Sequence, residues 1–334
     1  MFDLIYVEED ILDHPRTRRI CARFPKAQVV PCQHYGEIFN RSAQNFRLQK
    51  RRPALILAHK HGHLVLPTPP GYGIGSESNY YFSHMLNCVY DCRYCFLQGM
   101  YRSAHMVVFV NYEDFQSGID ECIAANTNTP YFFSGYDGDS LALEGITDFT
   151  NHFLDFFATR PSAFFELRTK SIRIQSLLKR PALSNCVVAF SLTPETAATA
   201  LEHGAPPVSR RLETLGELAA RGWPIGLRFD PLIYHRDWRT HYADLFAQTF
   251  ARISPEQVHS VSLGQFRLPS AMYKRMQQLY PEEKLFAWGL KEKEGQVSYR
   301  HELATEIHTF CVEALLQYID EKIFFPCPST TLVA

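Results

Sequence analysis

Three cysteines stand close together in the stretch Asn87-Cys88-Val89-Tyr90-Asp91-Cys92-Arg93-Tyr94-Cys95-Phe96-Leu97-Gln98. Their spacing is C-x3-C-x2-C, and an aromatic residue follows the last one at once. Thiolates are the usual protein ligands of iron–sulfur clusters, and such clusters usually take four. Three cysteines from one loop would hold three irons of a 4Fe–4S cluster and leave the fourth iron open to another ligand. The alternative is a zinc knuckle or a set of buried cysteines. Zinc would want a fourth Cys or His near the loop, and His84 and His105 flank it.

The bulk numbers frame that chemistry. The chain has 334 residues, 46% hydrophobic and 21% charged, with a net charge of −1. That suits a folded α/β protein with a sizeable core. It argues against a protein that coats nucleic acid all over, so contact with DNA has to come from a local patch. The start, MFDLIYVEEDILDHP, is acidic and lacks the apolar region of a signal peptide, and no apolar run is long enough to cross a membrane. The nine cysteines form no disulfide framework, so a reducing, cytoplasmic setting with a metal site is expected.

The elements that must position the cysteines follow from periodicity. Residues 1 to about 75 form an N-terminal α/β extension, with strands expected at 4–7, 54–58 and 64–66 and a helix over 16–24. The run His59-Lys60-His61-Gly62-His63 lies between two of those strands. It is either a metal site or, more simply, two strands around a Gly turn. Basic residues gather at Arg16, Arg18, Arg19, Arg23, Arg47, Lys50, Arg51 and Arg52, either as solvated surface or as phosphate contacts.

From about residue 76 to 334, strands alternate with helices. Strands are expected at 80–85, 130–134, 163–167, 186–190, 225–229 and 258–263. Helices are expected at 112–125, 145–159, 172–178, 209–222, 237–253, from 269 and at 301–320. Ser209 is the expected cap of the fourth of these helices, with Leu212, Leu215 and Leu218 as its apolar stripe and Gly222 as its stop. Six strands with helices between them predict a partial (β/α)6 barrel of TIM type, closed by a C-terminal helix. Sites in such folds gather at the C-terminal ends of the strands.

The cysteine loop, with its following aromatic, resembles the signature of the radical S-adenosylmethionine (radical SAM) superfamily. Along nearly its whole length the chain resembles the spore photoproduct lyase family. The resemblance rests on the cysteine loop with Tyr94 and Leu97-Gln98, on Thr169-Lys170, Phe190-Ser191, Gly204, Pro207, Arg211 and Glu213, on Gly222, Pro224 and Gly226, and on Asp237-Trp238 and Tyr280-Pro281. It implies a radical SAM lyase that repairs a thymine–thymine lesion in DNA and takes its electron from a reductase or a flavodoxin or ferredoxin. It further implies that Cys88, Cys92 and Cys95 ligate a 4Fe–4S cluster, and that Lys170 pairs with the carboxylate of S-adenosyl-L-methionine. Ser191 would hydrogen-bond the cofactor, and the backbone at Phe96 would meet its adenine. For such an enzyme Arg210, Arg211, Arg267 and Lys274 are either phosphate contacts near the barrel mouth or ordinary surface charge.

The chain also departs from that family. The family's hydrogen-donating cysteine corresponds to Tyr136, and its relay tyrosine to Phe96, which has no hydroxyl hydrogen. A cofactor-touching serine corresponds to Gly138, and a small residue before the fifth-strand proline to Asp230. Tyr136 or Tyr94 is therefore the expected hydrogen donor, with Cys186 or Cys311 as less favoured thiols. Asp137 and Asp139 either bind the cofactor or shape a turn. Two other functions stay open: a radical SAM enzyme for another nucleic-acid or small-molecule substrate, and a non-catalytic iron–sulfur or zinc module.

Overall fold

The molecule is described from a computed structural model that covers residues 2–287 and 289–327; residues 328–334 of the expected second domain lie outside the described residues. In chain order the strands are β1 (Leu4–Glu8), β2 (Gln28–Cys32), β3 (Leu55–Ala58), β4 (Leu66–Pro67), β5 (Asn79–Tyr81), β6 (Met85–Leu86), β7 (Asp91–Cys92), β8 (Met106–Phe109), β9 (Tyr131–Ser134), β10 (Phe164–Thr169), β11 (Cys186–Ser191), β12 (Glu202–His203), β13 (Ile225–Leu232), β14 (Val258–Gln265), β15 (Arg267–Pro269), β16 (Leu290–Lys293) and β17 (Gln296–Tyr299).

The larger sheet has the order β14-β13-β11-β10-β9-β5-β4. Every neighbouring pair from β5 to β14 is parallel, and only β4 at the edge is antiparallel. These strands are near-continuous apolar runs because both faces are covered, as parallel sheets require. All four residues of β9 are buried, and so are the first five of β11. The six parallel strands and the helices between them form the expected (β/α)6 partial barrel. The second sheet, β2-β1-β3-β8-β6, takes β6 and β8 from beyond residue 75.

A block of phenylalanines fills the space behind the barrel. Phe82, Phe149, Phe153, Phe157 and Phe165 are buried and meet ring to ring, with Phe157 and Phe165 stacked at 4.6 Å. The helix Val208–Ala220 buries Leu212, Leu215 and Leu218, the stripe that its periodicity predicts. Pro207, not Ser209, precedes its first turn. The helix begins at Val208, which is itself buried, and the Ser209 N–H goes to Glu195 Oε2 at 3.0 Å.

Tertiary contacts override local pattern in three further places. The helix expected over 145–159 breaks at Asp148, whose φ is 55°. Arg19 reaches across from the helix Pro15–Ala22 to bond Asp148 Oδ2 at 2.8 Å and the Thr147 carbonyl at 3.0 Å. The strand expected over 80–85 divides into β5 and β6, one in each sheet, because buried Phe82 and His84 pack behind the switch. The strands around the His59–His63 run do not pair with each other: β3 lies in the N-terminal sheet and β4 at the edge of the barrel sheet.

A buried ion pair ties β10 to β13. Glu166 on β10 and Arg228 on β13 meet at 2.6 Å with both side chains 1% exposed, and Arg168 adds a contact to Glu166 at 3.0 Å. Burial pushes the Glu166 carboxyl up, but the Arg228 and Arg168 guanidiniums outweigh it and hold it at about 2. A carboxyl lowered in the folded state stabilises the fold above its unfolded value and loses that contribution as pH falls through the folded value. Glu166→Gln is therefore expected to lower stability at pH 7, by about 3 kcal/mol for a broken buried pair, and to flatten the decline in stability between roughly pH 4.5 and pH 2. Urea unfolding midpoints at pH 7 and pH 3 measure this; an unchanged pH dependence would refute it.

Candidate active site at the barrel mouth

The strand ends place the candidate residues. In adjacent parallel strands all C-terminal ends share one rim. Tyr136 follows β9, Lys170 follows β10, Ser191 ends β11 and Asp230 lies in β13. The cysteine loop leaves β6 and sits over that rim.

Four devices hold the loop. Asn87, fully buried with φ of 75°, donates from Nδ2 to the Ser103 and His105 carbonyls at 2.9 and 3.1 Å. Its Oδ1 accepts the Cys88 N–H at 2.9 Å, so one side chain ties the loop's start to its return. Lys50 Nζ donates to the carbonyls of Cys88 and Tyr90 at 3.0 and 3.1 Å. Lys50 thus leaves the phosphate patch that its neighbours suggest. β7 pairs antiparallel with β12, setting Cys92 opposite Glu202. Finally, Tyr280 donates its hydroxyl to Asp91 and Gln98, with Arg93 over its ring at 3.7 Å.

Beneath the loop lies a buried charge network that sequence reasoning missed. Glu202 accepts one bond from the Tyr94 hydroxyl and another from Arg211 Nη2. Arg211 also donates to the carbonyls of Pro206 at 2.8 Å and Ser191 at 3.2 Å. Arg211 is therefore not a phosphate contact, and Tyr94 spends its hydroxyl hydrogen on a carboxylate. Lys170 Nζ sits 5.5 Å from the Tyr94 ring centroid. Burial acts to lower the Lys170 ammonium, but the Glu202 carboxylate outweighs it and leaves it raised. Glu202 is lowered: burial works against it, and Lys170 and Arg211 outweigh burial.

The turn after β9 carries the next group. Gly135 has φ of 84°, and a Cβ there would meet Ser140 Oγ at 2.7 Å, so glycine is required. Gly138 lies against the loop's start, where a Cβ would sit 3.0 Å from the Asn87 carbonyl oxygen. Asp139 accepts from the Leu141 and Ala142 N–H groups and Thr169 Oγ1 on one oxygen and from the Lys170 N–H on the other. These four bonds couple the β9 turn to the end of β10, which is the turn-shaping alternative for this residue. Asp137 accepts from Ser83 and Tyr101, on the far side of the turn. Tyr136 stacks on Tyr81 at 4.3 Å and stands 6.0 Å from the Phe96 ring, still 37% exposed. The structure thus brings Tyr136 and Phe96 together.

Asp230 pairs with Arg267 at 3.2 Å, which removes Arg267 from the free cations; Arg210 and Lys274 stay exposed, in surface pairs with Glu213 and Glu292 that hold them only weakly. Asp230 also accepts from Cys327 Sγ at 3.5 Å. That thiol is a second residue that the sequence did not point to. The tail runs beside β14, with the Cys327 N–H on the Leu263 carbonyl at 2.9 Å, and no local pattern near residue 327 announces that docking. Burial and the Asp230 charge push the thiol up to about 12. Cys186 begins β11, five residues and roughly 16 Å of strand before Ser191, so it lies at the opposite end of the barrel. Cys311 is buried in the helix His301–Leu315.

The donor set fits a cluster better than a single ion. All three loop cysteines are free. A tetrahedral zinc with bonds of about 2.3 Å would hold its sulfurs roughly 4 Å apart. Among the described residues, the group of Cys, His, Asp or Glu ligand atoms that lie within 4.8 Å of one another is elsewhere, at Asp10, His59 and His61. Neither flanking histidine completes a zinc site. His84 is stacked on Phe149 at 3.6 Å and burial lowers it to about 3, while His105 Nδ1 accepts the Ala54 N–H at 2.9 Å.

Comparison with known proteins agrees with this geometry. The profile of one family, spore photoproduct lyase, matches residues 1–302. The spore photoproduct lyase of Bacillus subtilis (strain 168) is 20% identical over 338 residues, covering 94% of this chain and 97% of its own. Two solved structures of spore photoproduct lyase each align over 99% of both chains at 17% identity and a TM-score of 0.83. One is a variant with bound AdoMet and dinucleoside spore photoproduct, and the other is complexed with the dinucleoside alone. With the family match spanning the cysteine loop and the six strand ends, the chain belongs to the spore photoproduct lyase family.

Proposed function

We propose that this protein is a radical SAM lyase that repairs a thymine photolesion in DNA, with Cys88, Cys92 and Cys95 as ligands of a 4Fe–4S cluster. The observation that carries the reading is the pairing of the three-thiol loop with a half-buried ammonium, Lys170, beside Cys92 and Cys95. When bound, the cluster and S-adenosylmethionine supply reductive cleavage to a 5′-deoxyadenosyl radical, given an electron from a reductase or a flavodoxin or ferredoxin. The protein binds, orients and shields.

Each residue has a part in that work. Lys170 presents its charge to the cofactor carboxylate, a charge-assisted contact. Ser191 offers a hydroxyl from the neighbouring strand, and the Phe96 backbone faces the adenine. Gly138 leaves room beside the loop's start, Asp139 holds the Lys170 backbone in place, and Asp230 sets the far side of the mouth through Arg267. The lesion's bases must leave the helical stack, at a cost that damage itself reduces. Tyr81 and Tyr136 offer a flat aromatic surface for them.

The last step needs a hydrogen atom for the product thymine radical. The Tyr136 phenol and the Cys327 thiol both stand at this mouth with a hydrogen to give. Of the two, the thiol gives a hydrogen atom to a carbon radical more readily than a phenol does, and its bond to Asp230, at 3.5 Å from a weak S–H donor, holds that hydrogen only loosely. The resulting thiyl is returned to a thiol by an electron from the same external reductant and a proton.

A second reading is favoured by Phe96 and Tyr136, which stand where the family carries a relay tyrosine and a donor cysteine. The same radical generator would then serve another substrate. Anaerobic reconstitution is expected to give about four irons per chain, 5′-deoxyadenosine on reduction with S-adenosylmethionine, and thymine from dinucleotide spore photoproduct. Cys92→Ala is expected to lose all three. Absence of 5′-deoxyadenosine in the intact protein overturns both readings, whereas 5′-deoxyadenosine without thymine leaves only the second.

Two substitutions test the finer assignments. Cys327→Ala is expected to lower the ratio of thymine to 5′-deoxyadenosine several-fold while Tyr136→Phe leaves it nearly unchanged; the reverse pattern assigns the donor to Tyr136. Lys50→Met removes two bonds to the loop's carbonyls. It is expected to lower iron retention after gel filtration with little change in thermal midpoint, and full iron content would refute a loop-holding role.

A further inference from the structure

We infer that Asp10, His59 and His61 form a binding site for a divalent cation of the zinc class, separate from the cysteine loop. The run His59-Lys60-His61 has no part in the radical chemistry. A hairpin turn does not account for it either, because β3 and β4 lie in different sheets. The chain instead leaves β3 at the C-terminal rim of the N-terminal sheet, beside the end of β1 and the short turn Glu9–Ile11. That brings Asp10 to the two histidines. Each of the three offers a ligand atom, and these atoms all lie within 4.8 Å of one another. His59 is half-buried, and Asp10 and His61 are exposed, so a solvated ion has access.

The surroundings hold the histidines in place without a metal. The His59 N–H donates to Glu8 Oε2 at 2.7 Å. Asn111 clamps the residue between the two histidines, accepting the Lys60 N–H at 2.9 Å and donating to its carbonyl at 3.0 Å. The Lys60 ammonium turns away, over the Phe109 ring at 5.1 Å. His59 and His61 stack face to face, centroids 4.3 Å apart, so their in-plane lone pairs run parallel and the exposed His61 ring turns out of the stack when both meet the ion.

The other feature that points to a metal is Asp114. Its Oδ2 lies 3.0 Å from His59 Nε2 and also accepts from Asn111 Nδ2 at 2.7 Å. Metal-bound histidines usually give their second ring N–H to such a carboxylate, which fixes the tautomer and raises ligand basicity. Where Nε2 itself takes the metal, Asp114 becomes the fourth ligand. Zinc bonds to imidazole nitrogen and carboxylate oxygen are about 2.0–2.2 Å, so the ligand atoms would close on the ion by roughly an ångström. Two imidazoles with carboxylates suit zinc, cobalt or nickel, and do not suit calcium or magnesium. The bound ion would tie the turn after β1 to the crossing after β3.

The test uses the cluster-loaded protein, so that the loop cysteines are occupied, after a mild chelator wash. Zinc at micromolar concentration is expected to bind at about one ion per chain beyond the iron, by elemental analysis after desalting, and to raise the thermal midpoint. Cobalt is expected to give a visible absorption band that zinc abolishes. His59→Ala/His61→Ala is expected to lose the extra ion and the thermal shift while keeping its iron. Asp114→Asn is expected to weaken zinc roughly 10–100-fold. If the washed protein takes up no zinc, or the double variant takes up as much as the wild type, the site does not exist. Should the double variant misfold, an unchanged zinc affinity in Asp10→Asn and Asp114→Asn is enough to overturn it.

Discussion

The buried carboxylate of Glu202 is the contact on which the candidate site depends. It lies in the short strand β12, opposite Cys92 in β7, and gathers the Tyr94 hydroxyl and the Arg211 guanidinium while facing the Lys170 ammonium. A lone carboxylate buried to this degree would be costly. Here two cations and a phenol surround it, and each is tied to a different part of the fold. Tyr94 belongs to the cysteine loop, Lys170 to the end of β10, and Arg211 to a helix behind β11. Removing one partner would leave the others buried and unmatched, which typically costs about 3–5 kcal/mol. The network therefore fixes the cysteine loop to the barrel rim.

The same low-dielectric setting explains the state of the thiols. Burial pushes Cys88 up to about 12 and raises Cys92 and Cys95, while Lys170 acts to lower the latter two. Thiols in such a place stay protonated and inert until a metal centre binds them, since the thiolate is the ligand. Lys50 contributes from above by holding loop carbonyls, and Asn87 closes the loop at its base. Several of the charges that look like surface charge in the sequence are therefore structural.

Asp139 and Asp230 show how a carboxylate at a strand end can be committed before any ligand arrives. Asp139 is filled by four donors from its own chain, and Asp230 by Arg267 and the Cys327 thiol. Each sets the geometry of the mouth through its neighbours: one holds the Lys170 backbone, and the other anchors the tail beside β14.

The sequence by itself determined the alternation of strands and helices, the six parallel barrel strands and the loop that carries the cysteines. Those features are local: apolar runs, helical stripes such as Leu212, Leu215 and Leu218, and the spacing of three thiols all lie within a few residues. It also carried the family, because the motif and the strand-end residues keep their order along the chain. Only the tertiary structure decided the rest. It sent β5 and β6 to different sheets, broke a helix at Asp148 with a distant arginine, and turned Arg211 and Lys50 from candidate phosphate contacts into supports for the loop. It also brought Cys327 to Asp230 across 97 residues and gathered Asp10 with His59 and His61. Each of these depends on a long-range hydrogen bond, ion pair or strand pairing. The energy of such a contact belongs to two segments at once, and neither segment's local pattern records its partner.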